Sequence, residues 1–102
     1  MFDVKNCVKT RYFVLKLYDK DGKSIVLNVE PPKVKTLKAL MDFSKKEEVS
    51  KDEFRFMITA ILSKNKDHVK VDKYVDELDT DQLNAVYTAF MEWLNNHKKS
   101  KN

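Results

Sequence analysis

Two adjacent prolines, Pro31 and Pro32, separate two parts of this chain that differ in hydrophobic periodicity. Proline has no amide hydrogen for a β-ladder, and it disfavours a helical conformation in the residue before it. Apolar residues alternate before the prolines, whereas after them they recur every three or four positions. This order predicts strands first and helices afterwards, which is an α+β fold rather than a βαβ arrangement.

The segments 11–18 and 25–29 have the composition of two β-strands. Alternate residues of the first segment form one apolar face, namely Phe13, Leu15 and Leu17. Gly22 is the only glycine of the chain, and it lies between the segments where a tight turn needs a positive φ. We therefore predict an N-terminal β-hairpin. Residues 2–8 are candidates for a third strand, because an isolated hairpin is only marginally stable in water.

The rest of the chain predicts a bundle of three to four helices, the first of which begins after the prolines. A capping-box pattern at 50–53 starts a second, central helix, and Asn65 is expected to end it in the left-handed conformation. A short helix over about 72–78 then leads to the last helix, which Asp79 or Thr80 would cap.

A chain of 102 residues with 42% hydrophobic side chains is long enough to bury one modest core. We expect a single α+β domain over residues 1–97 and a basic flexible tail over 98–102. Cys7 is the only cysteine, so no internal disulfide can form, and the N-terminus lacks the pattern of a secretory signal. No apolar run is long enough to cross a bilayer. These features predict a cytoplasmic protein that does not enter membranes.

The residue types that catalysis and cofactor binding require are scarce in this sequence. His68 and His97 are the only histidines, and neither has a second histidine at i+4 or a cysteine pair nearby. A single glycine excludes the glycine-rich loops that bind phosphates. Cys7, a lone cysteine near a terminus, is typical of an inert or exposed thiol. We expect no enzymatic activity, no metal and no cofactor.

A formal net charge of +4 raises the question of a nucleic-acid partner. Several lysines surround the predicted first helix, and aromatic residues lie on the first strand: Lys33, Lys35, Lys38, Lys45, Lys46 and Lys51, with Tyr12, Phe13 and Tyr18. Arginine, which is preferred for base contacts, occurs only at Arg11 and Arg55. A solvated basic surface is the simpler interpretation. A small nucleic-acid-binding or regulatory adaptor protein is therefore the alternative hypothesis.

Six residues of the two long helices are candidates for binding another protein: Phe54, Phe56, Tyr87, Phe90, Met91 and Trp93. Large apolar residues at helical spacing more often form the core than a binding surface. Phe56 and Trp93, however, fall beside the apolar stripes of their helices, and large apolar side chains in that position are typical of an interaction surface.

Three successive passages also carry a family resemblance: Lys-Val-Lys-Thr-Leu-Lys-Ala-Leu at 33–40, Ile-Leu-Ser-Lys-Asn-Lys at 61–66, and Val-Asp-Lys-Tyr-Val-Asp-Glu-Leu-Asp-Thr-Asp-Gln-Leu-Asn-Ala-Val at 71–86. Together with the β-rich start, their order over residues 25–95 resembles the tail assembly chaperones of phages with long non-contractile tails. The passages carry packing and capping signals, and they contain no functional motif that transfers residue by residue.

The resemblance implies a protein that binds the long helical tape measure protein of the tail. Such a chaperone keeps its partner soluble until tail tube subunits polymerise around it, helps to recruit the tail tube protein, and is absent from the finished virion. The family often makes a minor longer form by ribosomal frameshifting, of which this chain would be the shorter counterpart. Several copies per partner would be needed, so self-association is also expected.

Overall fold

A computed structural model describes residues 1, 3–4 and 11–99, with side chains described as far as Asn96. Its elements are β1 (Phe13–Tyr18), β2 (Ser24–Val29), α1 (Val34–Ser44), α2 (Lys51–Ser63), α3 (Asp72–Val75) and α4 (Thr80–Lys99). The α+β prediction is confirmed, because a hairpin precedes four helices. The third strand expected from residues 2–8 falls largely outside the described residues. Of the predicted tail, residues 98 and 99 belong to α4, and residues 100–102 lie outside the described residues.

The two strands form an antiparallel hairpin whose turn is held by backbone hydrogen bonds and by the carboxylate of Asp19. The Asp19 amide donates to the Lys23 carbonyl at 2.9 Å, and the Gly22 amide donates to the Asp19 carbonyl at 3.0 Å. Gly22 has a φ of 82°, the conformation for which glycine is favoured. The register places Phe13 opposite Val29, so the alternate apolar residues of both strands share one face, as the sequence predicts.

Two reciprocal caps begin the long helices where the sequence places them. The Ser50 hydroxyl accepts from the Glu53 amide at 3.1 Å, and the Glu53 carboxylate accepts from the Ser50 amide at 3.4 Å. Asp79 and Gln82 repeat the arrangement at α4, with distances of 2.8 and 2.9 Å. The predictions for both helix starts are confirmed. α3 is shorter than predicted and ends at Val75.

One hydrophobic core lies between the inner face of the hairpin and the helices. Its fully buried side chains come from β2, from all four helices and from Val71 just before α3. They are Leu27, Val29, Leu40, Ile58, Leu62, Val71, Val75 and Phe90. From β1, Leu17 is buried, and Phe13 and Leu15 pack partly against the core. The opposite face of the hairpin is exposed, so the helices cover only one side of the sheet.

Asn65, just after α2, is the only buried polar residue among the described residues, with 2% of its surface exposed. Its amide nitrogen donates to the carbonyls of Leu62 at 2.9 Å and Val69 at 3.0 Å, and its oxygen accepts from the Val69 amide at 2.8 Å. The predicted left-handed conformation of Asn65 is wrong. Within the described chain, His68 is the non-glycine residue with a positive φ, at 57°. Asn65 instead organises the turn through its side chain.

The segment around Asn65 also covers the outer edge of β2. The Lys66 amide donates to the Asn28 carbonyl at 2.9 Å, the Glu30 amide donates to the Lys64 carbonyl at 2.8 Å, and Asn65 forms a β-bridge with Val29. The outer edge of β1 has no backbone hydrogen bond to any part of the chain that the structure describes. Within the described residues, the hairpin therefore has one covered edge and one open edge.

Replacement of Asn65 by alanine is expected to lower the free energy of unfolding by about 2–4 kcal/mol, because it leaves a buried amide and two carbonyls without partners. Urea unfolding of Asn65→Ala measures the loss. Ser63→Ala is the control, since its exposed hydroxyl donates to the Thr59 carbonyl, and we expect it to cost less than about 1 kcal/mol. Equal effects of the two substitutions would contradict the role given to Asn65.

Candidate protein-binding surface

The six candidate binding residues do not form a single surface. Phe56 is 73% exposed, whereas Phe90 is completely buried. The other four are half-buried and pack against the core: Phe54, Tyr87, Met91 and Trp93. The expectation that Trp93 lies exposed beside its apolar stripe is therefore wrong, and the same expectation for Phe56 is confirmed.

Trp93 belongs to an aromatic cluster that joins the start of β1 to α4. Its ring centroid lies 5.5 Å from that of Phe90 and 5.9 Å from that of Phe13. The guanidinium carbon of Arg11 lies 3.8 Å from the centre of the Trp93 ring, and the same group donates to the Trp93 carbonyl at 3.4 Å. Burial lowers the pKa of Arg11 from its usual value. This stacking covers the indole and makes Trp93 a structural residue.

A second aromatic cluster joins three helices. Phe43 of α1, Phe54 of α2 and Tyr87 of α4 pack with ring centroids 5.7 to 5.8 Å apart. Burial raises the pKa of the Tyr87 hydroxyl, as expected for a phenol removed from water. Phe54 and Tyr87 therefore hold α1 and α4 against α2.

Phe56 lies on the rim of a groove between α1 and α2 with a volume of about 300 Å³. The apolar part of its lining comes from both helices: Ala39, Phe43, Phe56 and Met57. Asp42 and an ion pair between Lys46 and Glu53 supply its charged rim. The hydrogen bond from Lys46 and the amide of Ser50 hold the pKa of Glu53 below its usual value.

A larger groove, of about 450 Å³, runs along β1 and was not predicted. One wall is the whole of β1, and the other is a face of α4 at helical spacing: Gln82, Ala85, Val86 and Ala89. Glu77 and Leu78, which precede α4, complete the lining. Exposed alanines at 85 and 89 make this wall low, so a partner can approach it closely. The sequence signal that points to this groove is the pair of small residues, Ala85 and Ala89, spaced four apart on the amphipathic helix α4.

The outer face of the hairpin carries exposed aromatic and apolar residues beside lysines. Val14, Tyr18 and Val26 are 59%, 51% and 54% exposed. The ammonium group of Lys16 lies 5.6 Å from the ring centre of Tyr18, and that of Lys66 lies 5.9 Å from the ring centre of Tyr12. Of the aromatic residues that the sequence assigned to nucleic-acid contact, Tyr12 and Tyr18 share this open face, whereas Phe13 points into the core.

Groups with catalytic or metal-binding chemistry are dispersed in the described part of the chain. No three His, Cys, Asp or Glu side chains among the described residues are grouped as a metal site would require. Cys7 and the side chain of His97 lie outside the described residues. None of the described helices combines the length and the apolar character needed to cross a membrane.

Comparison with known proteins returned no matching family model, no matching curated protein and no matching solved structure. The likeness to tail assembly chaperones is therefore an expectation from the sequence. Any assignment of function depends on the surfaces described above, of which the α1–α2 groove contains the one exposed member of the six candidate residues.

The two off-stripe aromatic residues are expected to differ sharply in their effect on stability. Trp93→Ala removes the indole from contact with Phe13, Phe90 and Arg11, and we expect it to lower the free energy of unfolding by about 2–4 kcal/mol. Phe56→Ala removes an exposed ring and should change it by less than about 1 kcal/mol. Urea unfolding of both variants checks this, and a larger loss for Phe56→Ala would refute the assignment of these residues.

Proposed function

We propose that this protein is a non-catalytic phage tail assembly chaperone, which binds apolar helical segments of the tape measure protein in the host cytoplasm. The observation that carries the proposal is the open apolar groove between α1 and α2 with Phe56 exposed at its rim. Helix-in-groove binding is the common way in which a surface of this shape recognises a partner.

The composition of the groove suits a helical partner. Phe43 and Met57 provide an apolar floor, and Phe56 is a large exposed ring of the kind that often dominates binding energy. Asp42, Lys46 and Glu53 place both signs of charge around this floor, so the rim can pair with the mixed charges beside the apolar stripe of an amphipathic helix.

The size of the groove favours temporary binding. A groove of about 300 Å³ accommodates only a few side chains, so one copy would hold a helix weakly. Many copies along a very long helical partner would cover its apolar stripe together. Tail tube subunits that bind more tightly would then displace them, and recruitment of the tube protein by the same chaperone would place those subunits nearby.

Co-expression with the longest open reading frame immediately downstream tests this proposal. We expect the long protein to become soluble and to co-purify with the chaperone. Phe56→Ala should weaken the complex by about 2 kcal/mol, near thirtyfold in Kd, because it removes the main apolar contact. Isothermal titration with a soluble segment of the partner gives the Kd.

Met41→Ala is the matched control, since Met41 is also an exposed apolar residue, 53% exposed on α1, and does not line the groove. It should leave the affinity unchanged. Absence of co-purification, or an equal loss with Met41→Ala, would reject the groove as the binding site for this partner.

Nucleic-acid binding is the second candidate, because the outer face of the hairpin places lysines next to exposed tyrosines. Side chains of this kind stack on bases and neutralise phosphates without base specificity. For this function, a fluorescent oligothymidine should bind at low salt, lose affinity steeply as salt rises, and bind about tenfold more weakly to Tyr18→Ala. Phe56→Ala serves as the control with unchanged affinity. Lack of binding at low salt would remove this candidate.

A further inference from the structure

The backbone of β1 offers unpaired hydrogen-bonding groups along its outer edge. The Asp19 amide bonds to the Lys23 carbonyl, so residues an even number of positions from Asp19 direct their backbone groups toward β2. The amides and carbonyls of Val14, Lys16 and Tyr18 therefore point away from β2. They have no partner among the described residues, and an edge of this kind is a template for a further strand.

The groove below this edge has room for the inward side chains of such a strand. Phe13, Leu15 and Leu17 form its wall on the sheet side, and Ala85 and Ala89 form its wall on α4. A strand added to β1 would project every second side chain into this groove. The occupant must therefore combine a free backbone edge with apolar side chains on alternate positions.

We propose that the occupant is β1 of a second copy of this chain. β1 itself has both required properties, an edge without a partner among the described residues and an apolar inner face. Antiparallel pairing of two β1 strands about a two-fold axis would make one four-stranded sheet in the order β2, β1, β1, β2. The interface is isologous, so each copy covers the groove of the other. This inference does not depend on the proposed chaperone function.

The side chains select one register for the pairing. With Leu15 on the two-fold axis, Val14 pairs with Lys16 of the other copy, and Tyr12 pairs with Tyr18. On the inner face, Leu15 meets Leu15 and Phe13 meets Leu17, so only apolar groups face each other across this side of the pairing. Placing Lys16 on the axis instead would set two ammonium groups directly opposite each other, which is destabilising.

Charge complementarity at the ends of the strand favours the same register. Arg11 precedes β1 and Asp19 follows it, so antiparallel pairing brings Arg11 of one copy level with Asp19 of the other. The opposite charges attract across the interface while the guanidinium stays on the Trp93 ring and the carboxylate stays bonded to the amides of Asp21 and Lys23. The two-fold axis repeats this pairing at the opposite end. The outer edge of β2 is already covered by residues 64–66, which leaves β1 as the edge for the second copy.

One six-residue strand and one groove bury less area than most stable dimers, which need about 1,200 Å² or more. The dimer should therefore form in a concentration-dependent manner. Analytical ultracentrifugation of the full chain over a wide concentration range measures this. Val14→Pro removes an outward amide from the pairing edge, and it should eliminate the dimer over the whole range.

Val26→Pro is the matched control. Val26 is also a valine with an outward-facing amide and similar exposure, but it lies on β2. The control should dimerise as the unmodified chain does, with circular dichroism used to verify that both variants fold. Amide hydrogen exchange of the unmodified chain is the second measurement, and the amides of Val14, Lys16 and Tyr18 should become protected as concentration rises.

Four results would overturn the proposal. They are a monomer at every concentration, a dimer that persists in Val14→Pro, an equal loss of the dimer in Val26→Pro, and protection of the three edge amides at concentrations where the chain is monomeric. The last result would mean that another part of the same chain occupies the edge. Failure of the tape measure partner to bind would leave all four measurements unaffected, so the two proposals are tested separately.

Discussion

The side chain of Asn65 fixes the path of the chain where α2 ends, and the rest of the fold depends on that path. Its amide joins the last turn of α2 to Val69, which places residues 64–66 beside the outer edge of β2. A two-stranded hairpin is marginal on its own. Here it gains hydrogen bonds at one edge from this segment and apolar contacts on one face from α2 and α4. A buried amide with all its partners satisfied thus ties the two halves of the chain together.

Coverage of the hairpin on one face and one edge determines which surfaces are left for partners. The outer face, the edge of β1 and the groove above α4 lie on the strand side, and the Phe56 groove lies between α1 and α2. The two grooves have different settings, since one runs along β1 and the other lies between two helices. The proposed strand pairing and the proposed helix binding therefore involve separate surfaces, and a dimer formed through β1 would leave both Phe56 grooves free.

The two off-stripe aromatic residues show how far helical periodicity can be used to find a site. Phe56 and Trp93 each lie beside the apolar stripe of a long helix, and the pattern assigns both to the surface. Arg11 and Phe13 arrive from the opposite end of the chain and cover the Trp93 ring. No described residue covers the Phe56 ring in this way. Periodicity describes one helix at a time, so it cannot register a strand that packs across that helix.

The sequence by itself determined the features that arise from neighbours within a few residues: the glycine turn, the alternation of the strands, both capping boxes and the α+β order. Each depends on local hydrogen bonds or on backbone preferences, which are present before the chain folds. Only the tertiary structure decided the burial of Trp93, the role of Asn65 and the open edge of β1. These depend on contacts between residues far apart in the chain, where packing and exclusion of water are settled by the complete fold.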